Sequence, residues 1–190
     1  MINYYNIHDL SIINKKIISG ANGLGGEWSL NQMPLTNTPN LKSDKILDFS
    51  NRLEGYLSGK SIEKRYNEQF NENIPAKEIF SRYRKKDTNS TLFINEYKDI
   101  LARCLVLIVT TLDPDAIVFG GGISNEIDFL DQIKKKTSSF INEPNLKTVF
   151  LKPKYGDASG VRGAAILSRQ SSIRSEERRV GKECRSRWSP

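Results

Sequence analysis

Leu112-Asp-Pro-Asp-Ala-Ile-Val-Phe-Gly-Gly-Gly-Ile-Ser124 is the stretch on which the fold of this chain turns. Ile117, Val118 and Phe119 form an unbroken apolar run. It is too short for a buried helix and predicts a strand covered on both faces. Gly120, Gly121 and Gly122 follow at once, and Ser124 or Asn125 is placed to cap a helix running through Phe129 to Ile133. Strand, glycine turn and helix N-terminus together bring backbone N–H groups to a point that a phosphate can approach with no side chain in the way. A tight left-handed turn between strand and helix accounts for the three glycines equally well.

Upstream, Phe93, Tyr97, Ile100, Leu101, Cys104, Leu105, Ile108 and Leu112 recur at spacings of three and four. That period predicts the longest helix of the chain, opened by Ser90, ended before Pro114, and carrying a wide buried stripe. Downstream, Asn142-Glu-Pro-Asn145 reads as a loop and Thr148-Val-Phe-Leu151 as a second apolar strand. Residues 156–167 then read as a turn and a helix in which Gly160, Gly163, Ala164 and Ala165 permit close packing. Helix, strand, helix, strand, helix is the alternation of an α/β domain.

Further upstream the pattern is helical. Residues 48–57 predict a helix carrying Glu54 and broken at Ser58-Gly59. Ser61 is placed to cap a second helix with Ile62, Tyr66 and Phe70 at helical spacing, ended by Asn71-Glu-Asn-Ile-Pro75. Residues 76–84 predict another, with Pro75 suited to its first turn. The basic cluster at 82–86 reads either as a solvated helix end or as a holder of an anionic ligand. Residues 34–42 are polar and proline-bearing, hence loop. Ile12-Ile-Asn-Lys-Lys-Ile-Ile18 predicts two short strands about a polar Asn-Lys turn. Gly20-Ala-Asn-Gly-Leu-Gly-Gly-Glu27 follows, a glycine loop that delivers Glu27 at its end. Such a carboxylate can accept hydrogen bonds from sugar hydroxyls, or simply be a solvated turn residue. The glycine spacing is wrong for a dinucleotide fingerprint and no helix signal follows Trp28.

Composition narrows the class. The chain has 190 residues, 37% hydrophobic and 27% charged, with a formal charge of +7. No apolar run can span a bilayer and no secretory leader pattern opens the chain, so a cytoplasmic location is expected. Residues 174–190 have neither helical nor strand period and read as the translation of a common sequencing-library adapter. Without that tail the formal charge falls to +4, and a nucleic-acid partner is not expected on charge alone. Cys184 lies in the tail, which leaves Cys104 as a lone buried thiol with no disulfide framework. His8 is the single histidine, which excludes a multi-histidine metal site.

Four ordered blocks carry a resemblance. Gly-Ala-Asn-Gly-Leu-Gly-Gly-Glu-Trp (20–28), Glu54 with Ser58-Gly59, the stretch 112–124, and Gly-Asp-Ala-Ser-Gly-Val-Arg-Gly-Ala-Ala (156–165) resemble the ROK sugar kinases, with fructokinase and N-acetylglucosamine kinase branches most alike. The resemblance runs from about residue 14 to 167 and implies that residues 14–173 are the second α/β lobe of the actin-like ATPase (ribonuclease H-like) fold, a two-lobe architecture closing on ATP, magnesium and a hexose. Residues 1–13 are atypical for it. By position, Glu27, Glu54 and Asn22 are implied as sugar-binding residues, and Gly120, Gly121 and Gly122 as the nucleotide loop. For Asp157 and Arg162 the expectation is a helix cap and a packing or ion-paired side chain. Family members commonly dimerise, so a homodimer is a further expectation, with no membrane partner.

The departures from the family pattern shape the remaining expectations. Leu30 stands where the family has a zinc-binding histidine, and residues 45–52 contain no cysteine, so no zinc is expected. The acidic glycine-rich phosphate loop and the Asn-Asp pair that supplies the general base are not found in residues 1–13. Phosphoryl transfer relies on several such parts together, so the chain is expected not to turn over alone, and no catalytic residue is assigned. The alternative is the sugar-binding domain of a ROK repressor without its helix-turn-helix.

Overall fold

The computed structural model describes residues 11–14, 16–18, 20–32 and 52–156. The readings made for residues 1–10, 33–51 and 157–190 lie outside them, including Asp157, Arg162, the small-residue helix and the tail. The described elements run β1 (Ile12–Ile13), β2 (Lys16–Ile17), a 3-10 turn (Trp28–Leu30), α1 (Glu54–Leu57), α2 (Gly59–Phe70), α3 (Ala76–Arg84), α4 (Thr88–Leu112), β3 (Ala116–Val118), a second 3-10 turn (Gly122–Asn125), α5 (Leu130–Phe140) and β4 (Val149–Leu151).

The central element is α4, packed between α3 and α5. Its stripe of Phe93, Tyr97, Ile100, Leu101, Cys104 and Leu105 is buried as the spacing predicts, and Ile94, Ala102 and Val109 widen it because helices lie on two sides. Ile108 is only half-buried and Leu112 is 51% exposed, so the stripe fades before the helix ends. The helix opens at Thr88, two residues before Ser90: Asp87 is its cap and accepts from Ser90 N at 2.9 Å. That backbone bond, followed by the Ser90 side chain, holds the Asp87 carboxyl below its usual range. Asp113 takes the left-handed conformation at the other end, φ 42°, and Pro114 bars continuation.

Burial among these side chains pushes the Cys104 thiol up to about 12. The thiolate is the reactive form, so Cys104 is expected to resist N-ethylmaleimide at pH 8 until the chain unfolds. Peptide mass mapping checks this; labelling of Cys104 in the absence of denaturant would show an open helix.

The shorter helices pack on the near side of α4. Ser58, not Ser61, caps α2, accepting from Ser61 N at 3.3 Å, so the break after α1 is the single extended residue Ser58 and Gly59 is already helical. The predicted helix over 48–57 is, in its described part, the single turn α1, because Arg52 is held in an extended bridge to Gln32. Pro75 stands one position before α3 rather than inside its first turn. Tyr66 joins α2 to α4 through an edge-on contact with Phe93, 5.3 Å between rings, and a 3.2 Å hydroxyl contact with Ser90.

Lys98 of α4 is 2% exposed. Its ammonium donates to Tyr83 Oη at 2.6 Å, Gln132 Oε1 at 2.9 Å and Asn95 Oδ1 at 3.2 Å, and lies within 4.7 Å of the Tyr83 and Phe129 ring centres. One side chain thus ties α3, α4 and α5 together.

The described strands form two pairs. β1 and β2 are antiparallel with Ile12 opposite Ile17, a hairpin turned at Asn14 with φ 51°, as the sequence predicts. β3 and β4 are parallel, with Ile117 opposite Phe150, and α5 makes the crossover between them. Ile117, Phe119 and Phe150 pack on the helical core. The other face does not fit the expectation of a strand covered on both sides: Val118 is 57% exposed, Val149 46% and Leu151 43%. The described helices cover one face of this pair, which leaves alternate residues of both strands in water.

Candidate functional site

β3 runs directly into the glycine turn. Phe119 N donates to Leu151 O at 2.9 Å, which carries the strand pairing to the edge of Gly120. Gly121 adopts φ 77°, ψ 174°, a conformation essentially reserved for glycine. Ser124 then folds back: its N and Oγ donate to Gly121 O at 3.1 and 2.7 Å, and the residue is buried. Ser124 therefore closes a 3-10 turn instead of capping a long helix. The α-helix predicted to start there begins at Leu130: the 3-10 turn ends at Asn125, and Ile127 and Phe129 reach the core from non-helical chain between the two elements. The three glycines thus lead into a short 3-10 turn, which Gly122 opens, and not into an α-helix N-terminus. A Cβ built on Gly120 or Gly122 would meet no described atom within 4 Å, and neither residue has the left-handed φ of Gly121. Neither crowding by described atoms nor left-handed backbone explains glycine at those two positions.

The two carboxylates arrive from adjacent segments. The loop at 20–26 bends at Gly20, Gly23 and Gly26, with φ of 69°, 70° and 95°, and Asn22 is exposed at its tip. Glu27 N donates to Leu24 O at 3.2 Å and the chain enters the Trp28–Leu30 turn. Leu53 N donates to Asn31 O at 3.0 Å, and Gln32 bridges Arg52. These bonds lay the segment carrying Glu27 beside the one carrying Glu54, the first residue of α1. Both glutamates are half-buried. Ser58 N and Ser61 Oγ donate to Glu54 O at 3.2 and 3.1 Å, and the two serine hydroxyls are 2.8 Å apart, which fixes the kink between α1 and α2.

The glycine turn meets this kink. A Cβ on Gly59 would stand 3.8 Å from Ile123 Cδ1, so the junction that bears Glu54 packs on the residue following the glycines. Residues implied as sugar-binding and nucleotide-binding are therefore tied to one framework. Two arginines of the basic cluster prove to be occupied within the fold. Arg82 pairs with Glu72 at 2.6 Å and Glu78 at 3.2 Å. Arg84 pairs with Glu126 at 2.8 Å and Asp128 at 3.2 Å, and its hydrogen bonds, that to Glu126 foremost, raise its pKa. Sequence reading could not single out Arg84 or Lys98, since their partners are chosen by the fold, and it marked Ser58 as a helix break without showing that it caps α2. Among the described residues no group of three acidic, histidine or cysteine side chains could hold a metal ion, and no helix is long and apolar enough to cross a membrane.

Known proteins resemble this chain in sequence and in fold. The N-acetyl-D-glucosamine kinase of Mannheimia succiniciproducens is 36% identical over 162 residues, 82% of this chain and 53% of that protein. The N-acetyl-D-glucosamine kinase of Yersinia enterocolitica is 31% identical over 161 residues, with the same two coverages, 82% and 53%. Among solved structures, a ROK family protein from Streptococcus pneumoniae in complex with sucrose superposes with a TM-score of 0.70 at 22% identity, covering 87% of this chain and 55% of that one. A ROK family glucokinase from Streptomyces griseus in complex with glucose and AMPPNP gives 0.68 at 23% identity, with 85% and 56% covered. At such identities the structures establish a common fold. The chain spans about half the length of the curated relatives it matches. The ROK family pattern matches residues 11–171, and this chain belongs to the ROK family.

Proposed function

We propose that this chain is the nucleotide- and hexose-binding second lobe of an ATP-dependent sugar kinase. The observation that carries the reading is the open glycine turn. Gly120 and Gly122 are glycines that neither crowding by described atoms nor backbone angle demands, as expected where a phosphate must come within reach of backbone N–H groups. Relatives named N-acetyl-D-glucosamine kinase support the kinase over the repressor. They also make N-acetylglucosamine the first sugar to test, ahead of glucose and fructose.

In this reading Glu27 and Glu54, with Asn22 at the loop tip, accept hydrogen bonds from sugar hydroxyls, and residues 120–122 donate backbone N–H groups to phosphate oxygens. Magnesium-ATP, when bound, would supply the phosphoryl group that a sugar kinase moves to a hydroxyl. The donor set fits that partner: an exposed, uncrowded turn for the phosphates, and no protein cluster needed for a magnesium ion that travels with them. With both glutamates engaged in binding, no general base is assigned to this chain. Binding without turnover is the expected behaviour.

Thermal unfolding with and without ligands tests this. Magnesium-ATP or the right hexose at about a hundred times its Kd should stabilise the chain by about 2.7 kcal/mol. Gly122→Ala should melt at the wild-type temperature without ligand, because its Cβ meets no described atom, and lose most of the shift with ATP. A shift with hexose and none with ATP would point to the repressor. No shift with either would remove the site.

A further inference from the structure

Arg84 closes α3 and reaches across 42 residues of sequence to the segment leaving the glycine turn. Its Nη2 donates to the Glu126 side chain at 2.8 Å and to the Glu126 carbonyl at 3.0 Å, while Nε donates to Asp128 at 3.2 Å. Glu126 itself caps the 3-10 turn, its N–H donating to Ile123 O at 3.0 Å. The guanidinium thus grips both the backbone and the side chain of the residue at which the turn ends. Nη2 makes both bonds to Glu126 while Nε takes Asp128, so the planar fork holds the two acidic residues in one fixed geometry.

Charge adds a second effect. Glu126 and Asp128 follow the glycines by a few residues, and two unneutralised carboxylates there would repel the phosphates of a nucleotide. The Glu126 side chain is only 18% exposed, so solvent screens its charge less than at an open surface. From these contacts we infer that Arg84 is a positioning residue for the glycine turn, holding its exit and cancelling the acidic charge beside it so that the turn can receive a nucleotide. The inference rests on the nucleotide reading of residues 120–122.

The test pairs two readouts on the full chain. In Arg84→Ala, amide exchange of residues 121–127 should quicken about fivefold while the interior of α4 keeps its protection. The Kd for magnesium-ATP should rise about tenfold, and the rise should shrink in high salt, where the exposed charges are screened. Arg84→Lys, which keeps the charge and loses the fork, should leave the exchange fast but recover part of the affinity. Unchanged exchange at 121–127 in Arg84→Ala overturns the inference, as does faster exchange with an unaltered Kd. Absence of ATP binding by the wild-type chain would instead reject the underlying nucleotide reading, and it is visible before any variant is made.

Discussion

Lys98→Ala is expected to destabilise the chain by about 3 kcal/mol, read as a fall in the urea midpoint with an unchanged slope. Two losses combine. Removing the stem leaves a cavity among α3, α4 and α5, and removing the ammonium strips Tyr83, Asn95 and Gln132 of their common donor. Lys98→Met separates the two, since it refills the volume without restoring the donor. Asn95 and Gln132 are exposed enough to turn to water. A buried charge replaced by an apolar side chain of similar size is often tolerated, so the methionine variant should lose only about 1 kcal/mol. A loss under about 0.5 kcal/mol in Lys98→Ala would mean that the ammonium is hydrated in solution and that the three helices do not depend on it.

Gly121→Ala should show the other large effect. At φ 77°, ψ 174° an alanine is strained by about 1–3 kcal/mol. The turn can relieve that strain only by changing the hydrogen bonds that Ser124 makes to Gly121 O. Stability should fall and the response to magnesium-ATP should vanish together, whereas Gly122→Ala loses the response alone. Thermal scans of the two variants with and without magnesium-ATP make the comparison. A full ATP shift in Gly121→Ala would separate this turn from nucleotide binding.

The sequence made the existence of most described elements legible and their ends less so. The 3.6-residue period of α4 and the apolar run at 117–119 mark elements whose burial repeats along the chain, and repetition is what a sequence displays. The caps were displaced by one rule. Ser61 and Ser90 look like caps, but each is the third residue after the true cap, Ser58 and Asp87, to which it offers its backbone N–H. A polar residue at either place carries the same local signature, and tertiary packing decides which one leaves the helix. The helix expected from Ser124 failed for a related reason: Ile127 and Phe129 both go to the core, and an apolar pair two apart within a mixed segment does not announce itself. At the candidate site, Glu27, Glu54 and the glycines were legible because glycine loops and a family likeness mark them. Arg84 was not, because its partners lie 42 and 44 residues away.

The bare side of the β3–β4 pair carries a practical consequence for anyone purifying this chain. Val118, Val149 and Leu151 form an apolar strip on the sheet face that the described helices leave open. Molecules meeting there would bury these side chains face to face, and their like positive charge opposes the approach. Salt weakens that repulsion and leaves the strip as sticky as before. The preparation would stay clear when dilute and low in salt, and turn cloudy when concentrated in the buffers usually chosen to protect a protein.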